Sequence, residues 1–403
     1  MVPRHEKRVP VMATDLSSGV VEKLKTAAVG VLAGKAPPTP SSREGRLVSL
    51  DTFRGFIMFW IIGGRALVAG LLALKPNVLS NALLMQLGHS VWAGLHFWDC
   101  IWPSFMLMVG VSIPLSYAKR SRTQTYPQML RHAVMRFAIL FLLGSLRGSI
   151  DDGAPEWIEL SGVLQPIAIA YLVGFLLVRK PQWIQAAAGG AILAANVLIM
   201  AVFSAPGVPA GSYQETANIV RYVDLLTLGK TYLPGNTGGV GGSVLCIWFP
   251  IPTTILGMLI GGWLLSARSK ASKMRVIAGA GLLCLAVGYA LSPVVPVIFK
   301  LVTVSFVLVS AGWACLMFFL FYWAVDVRGY RQWTLPFVVI GSNAIFIYMF
   351  PSFVSLHPVV SIFTRARAGT SGHLEPLLDA LVVLAIQWLL LFWMYRNKIF
   401  IKT

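Results

Sequence analysis

With 403 residues the chain has room for two or three soluble domains. Yet 57% of it is hydrophobic, only 12% is charged and the mean hydropathy is +0.74, which excludes them. The net charge of +18 would point to nucleic acid in a soluble protein; here the cations sit in short connections between apolar runs, the mark of membrane topology, and no nucleic-acid partner is expected.

Residues 1–48 are polar and rich in Pro, Ser, Lys and Arg, and Met1 to Gly45 lacks the apolar stretch of a secretory signal. They are read as a cytoplasmic, partly disordered tail, and residues 49–403 as one transmembrane domain. Ten apolar runs follow, at about 53–74, 98–118, 133–150, 162–178, 182–203, 243–265, 276–291, 301–325, 334–355 and 377–395. The expected fold is an all-α, polytopic integral membrane protein of about ten transmembrane helices. Alternate connections carry the cations: Lys119, Arg120, Arg122, Arg131 and Arg136, then Arg179 and Lys180, then Arg268, Lys270, Lys273 and Arg275, then Arg328 and Arg331. The other connections hold acids, among them Asp151, Asp152, Glu156, Glu159, Glu215, Asp224 and Glu375. The positive-inside rule then puts both termini in the cytoplasm. The longest outer connection, 204–242, is rich in Gly and Pro and reads equally as a lid or re-entrant turn or as a flexible connector. Gly257 and Gly261 form a small-residue pair suited to close helix packing. The four cysteines, Cys100, Cys246, Cys284 and Cys315, show neither a CxxC pair nor metal-ligand spacing, so no metal is expected.

One outer connection concentrates chemistry. Gly88 to Pro103 holds His89, His96, Asp99, Trp92, Trp98 and Trp102 where the chain re-enters the membrane. Histidine is the side chain best suited to moving protons near neutral pH, and a nearby carboxylate makes His89 a candidate reaction centre. The structural alternative is an interfacial loop, with the tryptophans as an aromatic belt and Asp99 as a helix N-cap. Within the spans, Arg65, Arg147, Asn343 and Gln387 are costly polar groups, functional or interhelical. Lys300 opens the eighth span on the outer side as an interface anchor or an anion holder. Asp51 caps the first span, with Arg54 one turn later; Arg54 and the cationic 119–136 connection suit a phosphorylated donor, or simply reflect positive-inside bias.

Several segments together resemble the heparan-α-glucosaminide N-acetyltransferase family, including bacterial members of the transmembrane acyltransferase group. They are Ser49-Leu50-Asp51-Thr52-Phe53-Arg54-Gly55, the His89-x-x-Trp92-x-Gly94-Leu95 segment followed by Asp99 and Pro103, and Met108-Val109-Gly110-Val111-Ser112-Ile113. Further matches are Gly162-Val163-Leu164-Gln165, Val325-Asp326-Val327-Arg328-Gly329, Pro336-Phe337 with Gly341-x-Asn343-x-Ile345, and Lys398-Ile399-Phe400. The resemblance covers nearly everything from Arg46 to Thr403. It implies transfer of an acetyl or other acyl group from cytoplasmic acyl-CoA, a co-substrate, to an extracytoplasmic amino sugar or saccharide. It implies His89 as the catalytic histidine, a base or an acyl carrier, with Asp99 beside it. Gln165 and Asn343 match polar positions of the family, Gln165 being assigned to the CoA and Asn343 to the acceptor. From the residues themselves, Trp92, Arg65 and Lys300 are assigned to the acceptor, and Arg54, Arg120 and Arg131, by charge and side, to the CoA phosphates. The implied setting is a bacterial inner membrane, and a homodimer is compatible with it.

Two departures stand out. Arg65 lies near a position where the family carries Asn, or Asp in some branches, and Pro166 follows Leu164-Gln165 where relatives often have Arg. A cation at 65 can hold a carboxylate of the acceptor or pair with Asp99. Two rival readings keep the architecture: a carrier or flippase for a free or lipid-linked saccharide, and an inactive homologue with Arg65 in the site.

Overall fold

The computed structural model describes residues 47–153, 155, 160, 162–229, 244–356, 358, 360 and 374–401. The expected N-terminal tail, but for its last two residues, and the Pro-Gly-rich part of the long outer connection at 230–242 lie outside them. The named elements among the described residues are all helices, with no named strand. Each of the ten apolar runs contains a helix. Val48–Phe59 (α1) continues through a π-helical turn, Trp60–Gly64, into Arg65–Ala73 (α2). Ile101–Arg120 (α4) follows the short Val78–Gln86 (α3), and Tyr126–Asp152 (α5), Leu164–Leu177 (α6) and Gln182–Val202 (α7) come next. Then come Ile219–Leu228 (α8), Ile251–Leu265 (α9), Lys270–Leu291 (α10), Val304–Phe321 (α11), Leu335–Ser342 (α12), Ala344–Phe353 (α13) and Glu375–Arg396 (α14).

Among the described residues seven helical segments are long and apolar enough to cross a bilayer, and α12 with α13, bent by 69°, would make an eighth. At 14 and 15 residues α6 and α9 fall short of the roughly 20 a full span needs. Burial sorts the helices. The segments Phe97–Arg120 and Val304–Val327 have 67% and 61% of their apolar windows inside the protein, whereas the other five have 17–28% and turn leucine-rich faces outward. The chain is an integral, multi-pass membrane protein.

The centre is held by small residues. An added Cβ at Gly110 would stand 2.0 Å from the carbonyl oxygen of Thr254, and one at Gly257 would stand 2.2 Å from that of Leu107. The backbones of α4 and α9 therefore touch, and Thr254 Oγ1 donates to the Met106 carbonyl at 3.1 Å across the same crossing. Gly261 repeats the contact one turn on, against Val111, so the expected Gly257–Gly261 pair packs on α4.

The bundle has two distinguishable ends. At one, the Ser49 N–H at the start of α1 donates to Asp326 Oδ2 at 3.2 Å, Lys270 Nζ donates to the Asp326 carbonyl at 3.0 Å, and Arg331 lies 3.8 Å from the same carboxylate. The other end is made by residues 87–100, 203–218 and 292–303. Helix α4 joins the two, and its 20 residues hold Arg120 about 30 Å from the end that carries His89.

Candidate active site

The site begins where α3 ends. Gly94 takes a φ of +118°, open to glycine and strained for other residues, and gives its N–H to the Val297 carbonyl at 2.8 Å. Ala93 pairs with Ile298 in an isolated antiparallel bridge. These bonds dock the 88–96 loop on the connection between α10 and α11. The chain then turns through a single 3₁₀ turn, Phe97–Cys100, into α4. Here the structure refines the N-cap expectation. His96 is the capping residue, and Asp99, three residues on, reaches back to the His96 N–H at 2.9 Å.

Asp99 does more than cap. It is completely buried, and a buried carboxylate needs partners. Its Oδ2 also accepts the Ser90 N–H at 3.2 Å, and its Oδ1 lies 2.6 Å from His89 Nδ1. A carboxylate facing Nδ1 favours the tautomer with the proton there, which puts the lone pair on Nε2. The His89 side chain keeps 21% of its surface exposed, so the ring is held at Nδ1 without being fully enclosed. His96 is tied into the loop instead, its Nδ1 3.0 Å from the Gly88 carbonyl. Ser90 Oγ, next in sequence to His89, and Trp102 Nε1, three residues after Asp99, are buried and have no hydrogen-bond partner among the described residues.

Aromatic rings enclose the imidazole. Phe299 stacks on it at 4.6 Å and 10°, and Trp98 meets it edge-on at 6.4 Å and 77°. The other ring contact of Trp98 is with Arg65, whose guanidinium carbon sits 4.8 Å from the ring centroid. Arg65 thus reaches the site through Trp98, while Asp99 is committed to His89, Ser90 and His96. An exposed cation–π contact is worth about 0.5–1 kcal/mol, so Arg65→Asn is expected to change the rate of any His89-dependent reaction by no more than about fivefold. Steady-state turnover of that variant checks this, and a hundredfold change in either direction would refute it.

Beside this cluster, Trp92 Nε1 donates to the Tyr213 carbonyl at 2.9 Å. Burial pushes the phenol of Tyr213 above its ordinary value. Lys300 Nζ lies 6.0 Å from the Trp92 ring centroid and 3.7 Å from Glu215 Oε1. The described part of the outer connection is therefore ordered rather than a free linker. Isolated bridges Ala205–Val208 and Tyr213–Asn218 shape it, Asn218 caps α8, and it straps Trp92 from outside.

The structure thus brings His89, Asp99, Arg65, Trp92 and Lys300 to one end. It places the remaining candidates elsewhere. Arg54 lies 3.6 Å from Asp51 at the opposite end. Arg120 lines a cleft there with Ser116, Tyr117, Tyr171 and Phe175, beside which Arg136 stacks on Tyr171; Arg131 is exposed on α5. Gln165 is buried in the first turn of α6 against Gly144, where an added Cβ would meet its amide at 2.5–2.7 Å. Asn343 does not face His89. It forms the break between α12 and α13, donating to the Ile399 carbonyl at 3.0 Å and accepting the Ile401 N–H at 2.9 Å. Arg147 bridges Asp151 at 3.2 Å and the Tyr348 carbonyl at 2.6 Å. All four cysteines are free thiols.

The family model described as Heparan-alpha-glucosaminide N-acetyltransferase, catalytic, matches residues 46–226, a segment that contains the His89–Asp99 pair. That segment is what this chain shares with the family's catalytic region. It is 26% identical over 437 aligned residues to the heparan-alpha-glucosaminide N-acetyltransferase of Mus musculus, an alignment covering 91% of this chain and 62% of that protein. It is 26% identical over 425 aligned residues to that of Homo sapiens, covering 90% and 60%. The chain spans about three fifths of the length of the curated relatives it matches. The segment matched by the heparan-alpha-glucosaminide N-acetyltransferase model holds the dyad, Trp92, Trp98 and Arg65, whereas Phe299 and Lys300 lie beyond it. Phe299, Ser90 and Tyr213 are the site residues that sequence reading missed. A phenylalanine in an apolar run carries no sign of the ring it will stack on. The one available hint was Pro296 shortly before Lys300, which breaks the chain ahead of the eighth apolar run.

Proposed function

We propose that this protein is a transmembrane acyltransferase that moves an acetyl or other acyl group from acyl-CoA to an amine or hydroxyl of a saccharide. The observation that carries the reading is the 2.6 Å contact between His89 and the buried Asp99. That contact leaves Nε2 as the basic nitrogen of the ring. In direct transfer the acceptor amine attacks the thioester carbonyl carbon while Nε2 takes a proton from its nitrogen. The C–N bond forms, the C–S bond breaks, and the imidazolium returns the proton to the CoA sulfur. Alternatively Nε2 attacks first and the C–S bond breaks, releasing the CoA thiolate; the acceptor then attacks the acyl carbon, the Nε2–acyl bond breaks, and the acceptor's proton goes to the thiolate. Either route develops negative charge on the thioester oxygen. Trp92 offers a flat apolar face to a sugar ring, and Lys300 with Glu215 offers polar contacts at its rim.

The donor enters from the opposite, cytoplasmic end in this reading. Arg54, Arg120 and Arg131 take the CoA phosphates, and the pantetheine arm runs between the helices past α4. Both termini then lie in the cytoplasm, and a bacterial inner membrane fits the sequence. The test is acyl-CoA consumption by the purified full chain with glucosamine or cell-wall sugars as acceptor. The expected result is a loss of about 10²- to 10⁴-fold in His89→Ala, the range for removing a general base. Equal consumption by wild type and variant would refute the proposal, and saccharide movement across vesicles without acyl-CoA would favour a carrier instead.

A further inference from the structure

The Asp99 contact alone does not fix the imidazole. One hydrogen bond to Nδ1 sets where that nitrogen lies but lets the ring swing about the Nδ1–Oδ1 line, and the swing sweeps Nε2 through an arc. The structure supplies the missing constraint from the connection between α10 and α11. Phe299 lies almost parallel to the imidazole, 4.6 Å away, and is itself buried. We infer that Phe299 is a positioning residue for the His89 base, holding the plane of the ring so that Nε2 keeps one direction. The inference rests on His89 being the reacting group.

The segment that carries Phe299 is built to stay still. Thr303 Oγ1 donates to the Pro296 carbonyl at 2.8 Å and accepts the Ile298 N–H at 3.1 Å. Ser305 Oγ donates to the same Pro296 carbonyl at 2.9 Å. Asn196 of α7 donates to the Val302 carbonyl at 2.8 Å, and Val302 is held at a φ of +49°, strained for a β-branched residue. Such a conformation persists only where its surroundings over-determine it. The same segment grips the backbone of the histidine loop through Gly94 and Ala93. It therefore fixes both the loop that bears His89 and the ring at its tip. Trp98, edge-on, limits the ring at 6.4 Å and 77°.

The test uses the full chain in lipid nanodiscs, with Phe299→Leu and Phe299→Met as two fillings without a flat face, and Phe299→Tyr as the conservative ring. Thermal unfolding identifies the folded variants. Diethyl pyrocarbonate, which carbethoxylates accessible imidazoles, is followed by mass spectrometry at His89 relative to the exposed His132. Aromatic pairs are worth about one kcal/mol, so the Leu or Met variant should raise the His89/His132 ratio about threefold and lower kcat up to about tenfold. KM for acyl-CoA should stay within about twofold, since uniform binding is untouched, and Phe299→Tyr should keep wild-type values. An unchanged modification ratio in a folded Leu or Met variant, or a folded Tyr variant as impaired as they are, overturns the inference. If the wild type turns over no acyl-CoA, the acyltransferase reading fails and the modification ratio alone decides the role of Phe299.

Discussion

Asp99→Asn is expected to fold and to lose acyl-CoA turnover by about 10²- to 10⁴-fold, the range typical of general-base catalysis. The carboxylate has two duties on separate oxygens. Oδ2 accepts the backbone N–H groups of Ser90 and His96, while Oδ1 faces His89 Nδ1. An asparagine can keep the first duty with its single carbonyl oxygen, so the 3₁₀ turn and the start of α4 survive. Its amide nitrogen then points at Nδ1 and donates to it. The ring must answer with a lone pair there, which moves the proton to Nε2 and removes the base from that nitrogen. Turnover within tenfold of wild type, at an unchanged unfolding temperature, would show that the dyad is only structural. Asp99→Ala is the less informative change, because it strands the N–H groups of Ser90 and His96.

The second large effect lies in the bundle centre. Gly110→Ala and Gly257→Ala are each expected to destabilise the protein by about 1–3 kcal/mol, as overpacking does. The added methyl would meet a backbone oxygen at 2.0 Å in one case and 2.2 Å in the other. No rotamer relieves that contact. Helices α4 and α9 must move apart, which also stretches the Thr254–Met106 hydrogen bond. Gly190→Ala and Gly279→Ala are the controls, since a Cβ at either meets nothing within 4 Å. Thermal unfolding in one detergent compares all four. Equal unfolding temperatures across the set would show that the close crossing does not carry the core.

The architecture was legible because lipid demands long apolar runs, and each of the ten runs holds a helix. Two helices escaped. The sequence around α8 did carry end signals, Asn218 as cap and Gly229 at a φ of +67° just past its end, but its outer connection offered no apolar run to attract notice. The α3 helix starts with a reciprocal Asn77–Ser80 cap and leaves Val78, Leu79 and Met85 exposed, so no buried stripe marks it. For the site, His89 and Asp99 could be paired because they are close along the chain. Arg65 drew attention as a cation inside a span, yet its contact with Trp98 rather than Asp99 depends on the π-helical turn at Trp60–Gly64, which re-aims the face on which it emerges. Asn343 was legible as a costly amide in an apolar run, but a chain read in one direction gives no hint that its partners come after the last helix. Phe299 was illegible for the same reason: its meaning lies in a ring on another loop.

The bend at Asn343 has a consequence in time. Both hydrogen bonds that satisfy its amide go to Ile399 and Ile401, more than fifty residues further along the chain. During synthesis the hinge between α12 and α13 is therefore made before either of these two partners exists. The corner can lock only once the ribosome has delivered the stretch beyond α14, so the hinge is among the last parts of the molecule to settle.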